Sequence, residues 1–295
     1  MENKQAPVSA FSGYLLDSIT FDSIPNHKKR LKKLIIGGSI AYTAAMTGLY
    51  FVWYKDGQQT NFHFFDDSGE WRQIDKVGHF YSAFHIARSS AEAFRWAGMQ
   101  EKKAMFWGAM TGIMLMTPIE ILDGFSSEYG ASWSDFAANT GGALFAFGQF
   151  ALWNEIRIHP KFSFHRTSLA AQRPAVLGQG LQEELIKDYN GQTYWLSFDL
   201  DKFFPESSRF PKWLNLGLGY GAQDMIYAET QQNEALTGLK SYRQYYLGVD
   251  FDLNAIPARR KFWKTTLYIL NLIHLPAPAL EYNAQNGFKF RPFYF

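Results

Sequence analysis

The first half of the chain contains four apolar segments separated by short polar stretches. Leu34–Tyr54 holds 21 uncharged residues, enough to cross about 30 Å of hydrocarbon as a helix at about 1.5 Å per residue. Ala104–Ile119 and Phe136–Trp153 also carry no charge, whereas Val77–Gly98 has charges spaced so that they can pair on one helical face. The pattern predicts four helices packed as a hydrophobic membrane bundle.

After residue 160 the periodicity changes to the alternation that is typical of strands. In Tyr194–Leu200 every second residue is apolar, and Trp213–Tyr220, Tyr245–Leu253 and the terminal Phe288–Phe295 behave similarly. These runs resemble the strands of outer-membrane barrels, but about five runs fall short of the roughly eight strands that a small barrel needs. The alternation therefore predicts a half-buried antiparallel sheet, covered by the helix-like segment Phe262–Leu275.

Together these patterns predict an α+β chain of three parts. A polar and basic N-terminal segment, 1–33, precedes a four-helix hydrophobic membrane bundle, 34–158. A small antiparallel β region with one or two helices, 159–295, follows. The uncharged run after the basic cluster His27–Lys33 is too long and too far from the N-terminus for an ordinary cleaved signal peptide, so we interpret it as a signal anchor or a first membrane helix.

Composition and missing motifs remove several classes of function. The net charge of +2 gives no reason to expect nucleic acid, and the absence of cysteine excludes disulfides and thiolate metal sites. The sequence has no Walker A loop, no His-Glu-x-x-His motif and no Gly-x-Ser-x-Gly elbow, so nucleotide chemistry is unsupported. Aromatic residues make up 18% of the chain, which fits contact with a membrane interface, although a large aromatic core gives the same value.

Basic and acidic residues alternate between the connections of the predicted bundle. Lysines and arginines precede the first segment, join the second to the third and follow the fourth, whereas the other two connections are acidic. By the positive-inside rule the basic connections are cytoplasmic, which favours the inner membrane of a Gram-negative bacterium. The strands near the terminal phenylalanine favour the outer membrane, which is the alternative location.

Ionisable residues at the ends of the apolar segments mark the candidate site, since charges beside hydrocarbon-length segments are costly unless they are paired or used. On a helix, Asp75 and His79 are one turn apart, and Lys76 lies three residues before His79. A carboxylate beside an imidazole raises its basicity and fixes its tautomer, so Asp75 and His79 are the predicted catalytic pair. Lys76 is predicted to contact an anionic group.

A second group of polar residues follows the third segment. Glu120 and Asp123 are three residues apart, and together with Asp135 they are the predicted ligands of a divalent metal ion. Asn139, one turn after Asp135, is a predicted ligand-binding residue. Each residue also has a plainer interpretation, because Asp75 and Asp135 can complement helix dipoles and Asn139 can join two helices. Their joint occurrence at one end of the predicted bundle favours a shared pocket.

The order of these motifs resembles that of an uncharacterised bacterial family. Asp75–Phe80, Glu120–Phe125 and Ser132–Asp135 are similar to the YfiM-like predicted periplasmic lipoproteins, and Lys187–Ser197 is similar to their longer Bacteroidetes-type members. A more distant similarity, to the VanZ-like membrane proteins linked to glycopeptide-antibiotic resistance, covers residues 75–145. The resemblance implies an envelope location and no established reaction. The chain departs from the family by lacking the cysteine to which a lipid would be attached.

Two functions follow from the sequence, and whether the chain is an enzyme is left open. The first is an envelope membrane protein whose Asp/His/Glu cluster binds or processes a lipid-linked anionic headgroup at the membrane surface, with a divalent metal as candidate cofactor. The alternative is a non-catalytic structural or assembly component, associated with the outer membrane. In that case the cluster locks helix ends, and the C-terminal sheet docks an envelope protein partner.

Overall fold

The described residues form eight α-helices and one six-stranded antiparallel sheet, which confirms the α+β class. The structure is a computed structural model that describes residues 26–55, 57–205 and 207–295, so residues 1–25 of the predicted N-terminal segment lie outside it. Its contacts define two units. The first comprises the described residues up to Phe65 together with Ser82–Asn154, and the second comprises Asp66–Tyr81 and Glu155–Phe295.

Four long helices form where the apolar segments predict them. They are α1 (His27–Leu49, continued by a π-helical turn, Tyr50–Tyr54), α2 (Ile74–Ala97), α3 (Glu101–Gly124) and α4 (Trp133–Trp153). The start of α4 is capped by Ser132, whose hydroxyl accepts a hydrogen bond from the backbone N–H of Asp135. In α2, residues up to Tyr81 belong to the second unit and the rest to the first.

In the part of the chain that the structure describes, two helical stretches are long and apolar enough to cross a membrane. They are His27–Tyr54 and Glu101–Gly124. Helices α2 and α4 are not among them; α2 carries charges from Asp75 to Arg95, and α4 buries the amides of Asn139 and Gln149. The predicted four-helix membrane bundle is therefore not confirmed, and neither is integral insertion in the inner membrane.

Small residues let α2 and α3 approach closely within the first unit. A Cβ atom built on Gly108 would lie 2.5 Å from the carbonyl oxygen of Ala87 and 2.7 Å from the Cβ of Ala91. A Cβ atom on Gly112 would lie 2.9 Å from the carbonyl oxygen of Ala83. Because these glycines are one helical turn apart, they bring the two backbones into direct contact.

The second unit is built on a meander of six antiparallel strands in sequential order. The strands are β1 (Ile158–Phe164), β2 (Gln192–Phe198), β3 (Leu214–Gln223), β4 (Tyr242–Phe251), β5 (Ala277–Asn283) and β6 (Gly287–Tyr294). The shorter helices are α5 (Pro174–Leu177), α6 (Leu181–Lys187), α7 (Thr230–Thr237) and α8 (Lys261–Leu270). The predicted helix over 262–275 ends early, because Ile273 pairs with Phe162 of β1.

The sheet curls strongly around a buried interior. Thr193 Oγ1 on β2 and Tyr294 OH on β6 lie 3.0 Å apart, although three strands separate them in the sheet. Trp195 is 1% exposed and stacks on His274 with ring centroids 3.8 Å apart. A Cβ atom on Gly219 would lie 2.8 Å from the Trp195 ring, so this inward glycine leaves room for the indole.

Charged side chains also point into this interior. Lys161 Nζ lies 2.7 Å from Asp250 Oδ2 and donates to the carbonyl oxygen of Phe251 at 2.6 Å. His274 Nδ1 lies 3.0 Å from the other oxygen of Asp250. Burying these charges is tolerable only because each is paired and hydrogen-bonded. The enclosed face of the sheet is therefore its polar face.

Candidate functional site at the start of α2

The candidate site in the second unit begins with a strained turn. Trp71, Arg72 and Gln73 have φ angles of 45°, 52° and 65°, in the left-handed region. Residues other than glycine rarely enter this region, and each costs about 1 kcal/mol or more there. Since the turn directly precedes Ile74, the first residue of α2, its shape fixes where the first turns of that helix lie.

Side chains from and beside strands β3 and β4 hold the turn in place. The Tyr220 hydroxyl donates a hydrogen bond to the carbonyl oxygen of Arg72. The Arg72 guanidinium donates to Ser241 Oγ at 3.0 Å, and Arg243 Nη2 donates to Gln73 Oε1 at 2.5 Å. These bonds join the turn to the rigid sheet, which compensates for the cost of the left-handed backbone.

The first turns of α2 bring Asp75, Lys76 and His79 together. Lys76 Nζ lies 2.9 Å from Asp75 Oδ2, and His79 Nε2 lies 3.7 Å from Asp75 Oδ1. The side chains of Lys76 and His79 are only 11% and 16% exposed. The three residues therefore form one compact and largely buried cluster, which we call the α2 cluster.

Two residues that the sequence did not single out extend the α2 cluster. Asp67 Oδ2 accepts a hydrogen bond from Lys76 Nζ at 2.5 Å. The hydroxyl of Tyr189 donates to Asp75 Oδ1 at 3.0 Å. Lys76 is therefore a counter-ion for two carboxylates of the cluster. Tyr189 is 114 residues from Asp75 along the chain, so no local spacing could have revealed it.

The cluster keeps Asp75 ionised. Burial alone would raise the pKa of this carboxyl group, but His79, Lys76 and the hydrogen bond from Tyr189 favour the charged form. Their combined effect holds the pKa of Asp75 below its ordinary value. At neutral pH Asp75 is therefore a carboxylate that faces an imidazole.

Glu70, which directly precedes the strained turn, has its pKa shifted upward, opposite to that of Asp75. Burial, followed by the negative charge of Asp67, raises its pKa to about 7. Between pH 4.5, its ordinary value, and about 7, the folded protein thus keeps a proton on Glu70 that the unfolded chain has lost. The stability that this proton contributes is complete below pH 4.5 and disappears as the pH rises through about 7.

The Glu70→Gln variant is expected to melt at a higher temperature than the wild type at pH 8. A neutral amide avoids the half-buried charge, and we expect a gain in unfolding free energy of about 1 kcal/mol after solvent screening. The gain should vanish near pH 5, and melting curves across this pH range measure it. Glu234→Gln on the exposed side of α7 is the control. An equal gain at both pH values would contradict the assigned pKa.

The remaining predicted site residues lie in the first unit, where each has its own partner. Asn139 Nδ2 donates to Glu120 Oε1 at 2.9 Å, and both side chains are buried. The hydroxyl of Tyr54 donates to Asp123 Oδ1 at 2.6 Å. Asp135 is 4% exposed at the capped start of α4. The role of the three carboxylates as metal ligands stays a prediction.

Comparison with known families agrees with an envelope location. Residues 63–151 match the model of a family described as predicted periplasmic lipoprotein (DUF2279), and this range contains every predicted site residue. The match covers less than a third of the chain and does not reach the finer YfiM-like or VanZ-like resemblance. Searches of curated proteins and of solved structures find no match. The class indicated is a cell-envelope protein of uncharacterised activity.

Proposed function

We propose that this chain is a bacterial envelope protein that binds the phosphate-bearing headgroup of a lipid through a divalent cation at the α2 cluster. Asp75 and His79 are the proposed ligands of the cation. The observation that carries the proposal is the strained turn over residues 71–73. Such strain persists only where the surrounding structure imposes it, and it is concentrated at functional sites.

The charge balance of the cluster favours a cation over a bare anion. Asp67 and Asp75 are both paired with the single ammonium group of Lys76. Glu70 adds another negative charge above pH of about 7. This balance repels a lone phosphate, whereas a divalent cation is attracted and can bind a phosphate in turn.

The distance between the two proposed ligands suits one shared cation. Ligand atoms at about 2.1–2.4 Å from one ion lie roughly 3–3.5 Å from each other. Asp75 Oδ1 and His79 Nε2 are 3.7 Å apart, so a small side-chain rotation is sufficient. The hydrogen bond from Tyr189 orients the carboxylate, as neighbours of metal ligands commonly do.

We propose that the α2 cluster binds the headgroup and does not process it. Asp75, which would have to orient His79 as a base, already accepts hydrogen bonds from Lys76 and Tyr189. His79 Nε2 is 3.7 Å from Asp75 Oδ1, which is beyond hydrogen-bond distance, so the bond that would orient the imidazole as a general base is not formed. The carboxylates of the first unit stay candidate metal ligands by their chemistry alone.

A Mn²⁺ titration followed by electron paramagnetic resonance tests the cation site. Asp75→Asn and His79→Ala should each weaken binding by about tenfold or more, because each removes one ligand. Asp66→Asn is the matched control, since Asp66 is an exposed aspartate in the same segment. Unchanged Mn²⁺ affinity in both ligand variants would remove the cation from the proposal.

A structural role is the second candidate function, favoured by one observation. Lys76 joins Asp67 and Asp75, so the cluster ties the start of α2 to the preceding loop. If locking this helix end is its only role, Asp75→Asn should lower the melting temperature and leave Mn²⁺ affinity as it was. The titration and the melt together therefore separate the two functions.

A further inference from the structure

The outward face of strands β3 to β6 is apolar, and in the described structure it is uncovered except where the turn over residues 71–73 contacts Tyr220 and Arg243. One row crosses the four strands in register, with Leu218, Leu247, Leu280 and Phe290 side by side. Their exposed fractions are 44%, 47%, 39% and 63%. An antiparallel sheet in water places polar residues outward and apolar residues in its core. This sheet has the opposite polarity.

The inner side of the same strands carries the charges. Asp250 on β4 and Glu281 on β5 are 0% and 1% exposed, and they pair with Lys161 and Arg291. The outward positions that alternate with them on these two strands, from residue 245 to 249 and from 280 to 282, are uncharged. Strands with a polar inner side and an apolar outer side are typical of surfaces that face lipid.

Aromatic side chains lie on both sides of this row, toward the two ends of the strands. Where β3 begins and β4 ends, Trp213 stacks on Phe251 with ring centroids 6.0 Å apart. The distance from Leu214 to Tyr220 along β3 is about 20 Å at about 3.3 Å per residue. This is close to the apolar band of about 25 Å, flanked by aromatic girdles, of outer-membrane proteins. Toward the end of β3, the border is a second row of aromatic residues across the four strands: Tyr220, Tyr245, Tyr282 and Phe288.

Helix α8 adds a basic and aromatic element to the same unit. Phe262 and Trp263 are 69% and 52% exposed, and basic residues surround them. Just after α8, the carbonyl oxygen of Leu272 accepts a hydrogen bond from Tyr81, which packs on outward-facing Tyr194. Exposed aromatic rings beside positive charge match a membrane surface with anionic headgroups. The basic residues are Arg259, Arg260, Lys261 and Lys264.

We infer that the outward face of β3 to β6 contacts the hydrocarbon of a lipid bilayer, with its two aromatic ends at headgroup level and α8 on the anionic surface. The occupant is lipid rather than protein because the polarity of the strands is inverted and because α8 supplies the charge that complements anionic lipid. This inference rests on the sheet and on α8, and it is independent of the proposed function.

Site-specific fluorescence on the full chain in anionic phospholipid vesicles tests the inference. The chain contains no cysteine, so Leu247→Cys offers a single site for an environment-sensitive NBD label. We expect nitroxides near the ends of the acyl chains to quench this label about twofold more than a label at Gln232→Cys. Gln232 is an exposed residue of α7 in the same unit. A label at Phe251→Cys should be quenched most by nitroxides near the headgroup.

Two results would overturn the inference. Equal quenching at Leu247→Cys and Gln232→Cys would place the outward face in water. A blue-shifted Leu247→Cys label that lipid nitroxides do not quench would place the face against protein, either a second copy or a different partner. Leu280→Cys, in the same row, repeats the measurement if Leu247→Cys fails to fold as judged by circular dichroism.

Discussion

The Lys161→Met variant is expected to lose about 3–5 kcal/mol of unfolding free energy. Lys161 is 1% exposed, and its ammonium group lies 2.7 Å from Asp250, which is itself 0% exposed. Methionine fills a similar volume but leaves the Asp250 carboxylate buried without its cationic partner. The carbonyl oxygen of Phe251 and the amide of Asn271 lose a donor as well. Thermal or urea unfolding in detergent measures the loss.

The matched control is Arg166→Met, which also removes a cation from an ion pair. Arg166 bonds to Glu184 at 2.6 Å, but its side chain is 62% exposed, so solvent screens the pair. We therefore expect this variant to unfold close to the wild type and far from Lys161→Met. Equal effects of the two substitutions would mean that the interior of the sheet is not closed to water.

The second large effect is expected in the first unit, where Gly108→Val should cost about 3 kcal/mol. The new Cβ atom would lie 2.5 Å from the Ala87 carbonyl oxygen, so α2 and α3 must separate. Because that contact is with backbone, no side-chain rotation can relieve it. The loss should appear as a lower melting temperature in detergent.

Gly148→Val serves as the control for this substitution. Gly148 also lies inside a helix, α4, but a Cβ atom there has no neighbour within 4 Å. It should change stability by less than about 1 kcal/mol, the ordinary propensity difference between helical residues. If Gly148→Val destabilised as strongly as Gly108→Val, the close approach of α2 and α3 would not be the cause.

The long helices were predictable because an uninterrupted apolar run of helical length largely specifies its own structure. α3 and α4 begin three residues before their predicted apolar runs. α1 begins earlier, at His27 instead of Leu34, because lysine and arginine are good helix formers and continue the helix into the basic cluster. Whether such helices cross a membrane also depends on how many polar residues they carry, and the length of an apolar run does not show this.

The sheet was only partly predictable. Alternation reveals two faces but does not show which face is enclosed, because shifting a strand by one residue exchanges them. The sequence suggests about five runs, whereas the described residues form six strands. β1 and β5 are not among the runs named from the sequence, and in β1 Pro160 and Lys161 interrupt the apolar pattern. Lys161 fits a buried position only because Asp250 lies opposite, which local sequence cannot reveal.

The site was predictable only where helical spacing applies. Asp75, Lys76 and His79 share the first turns of one helix, and their proximity follows from that spacing. Asp67 and Tyr189 join them through a loop and a distant segment. The left-handed turn over residues 71–73 contains no glycine or asparagine, which are the residues that would predict such a backbone from sequence. Contacts with the sheet impose its conformation instead.

The cation-linked headgroup site at the α2 cluster is tested by a calorimetric titration of the full chain in detergent with a short-chain phosphatidic acid, with and without Mg²⁺. We expect binding that requires Mg²⁺, and we expect His79→Asn to weaken this binding by about tenfold or more at an unchanged melting temperature. Binding of equal strength without Mg²⁺, or in a folded His79→Asn variant, would contradict a cation-linked headgroup site at the α2 cluster.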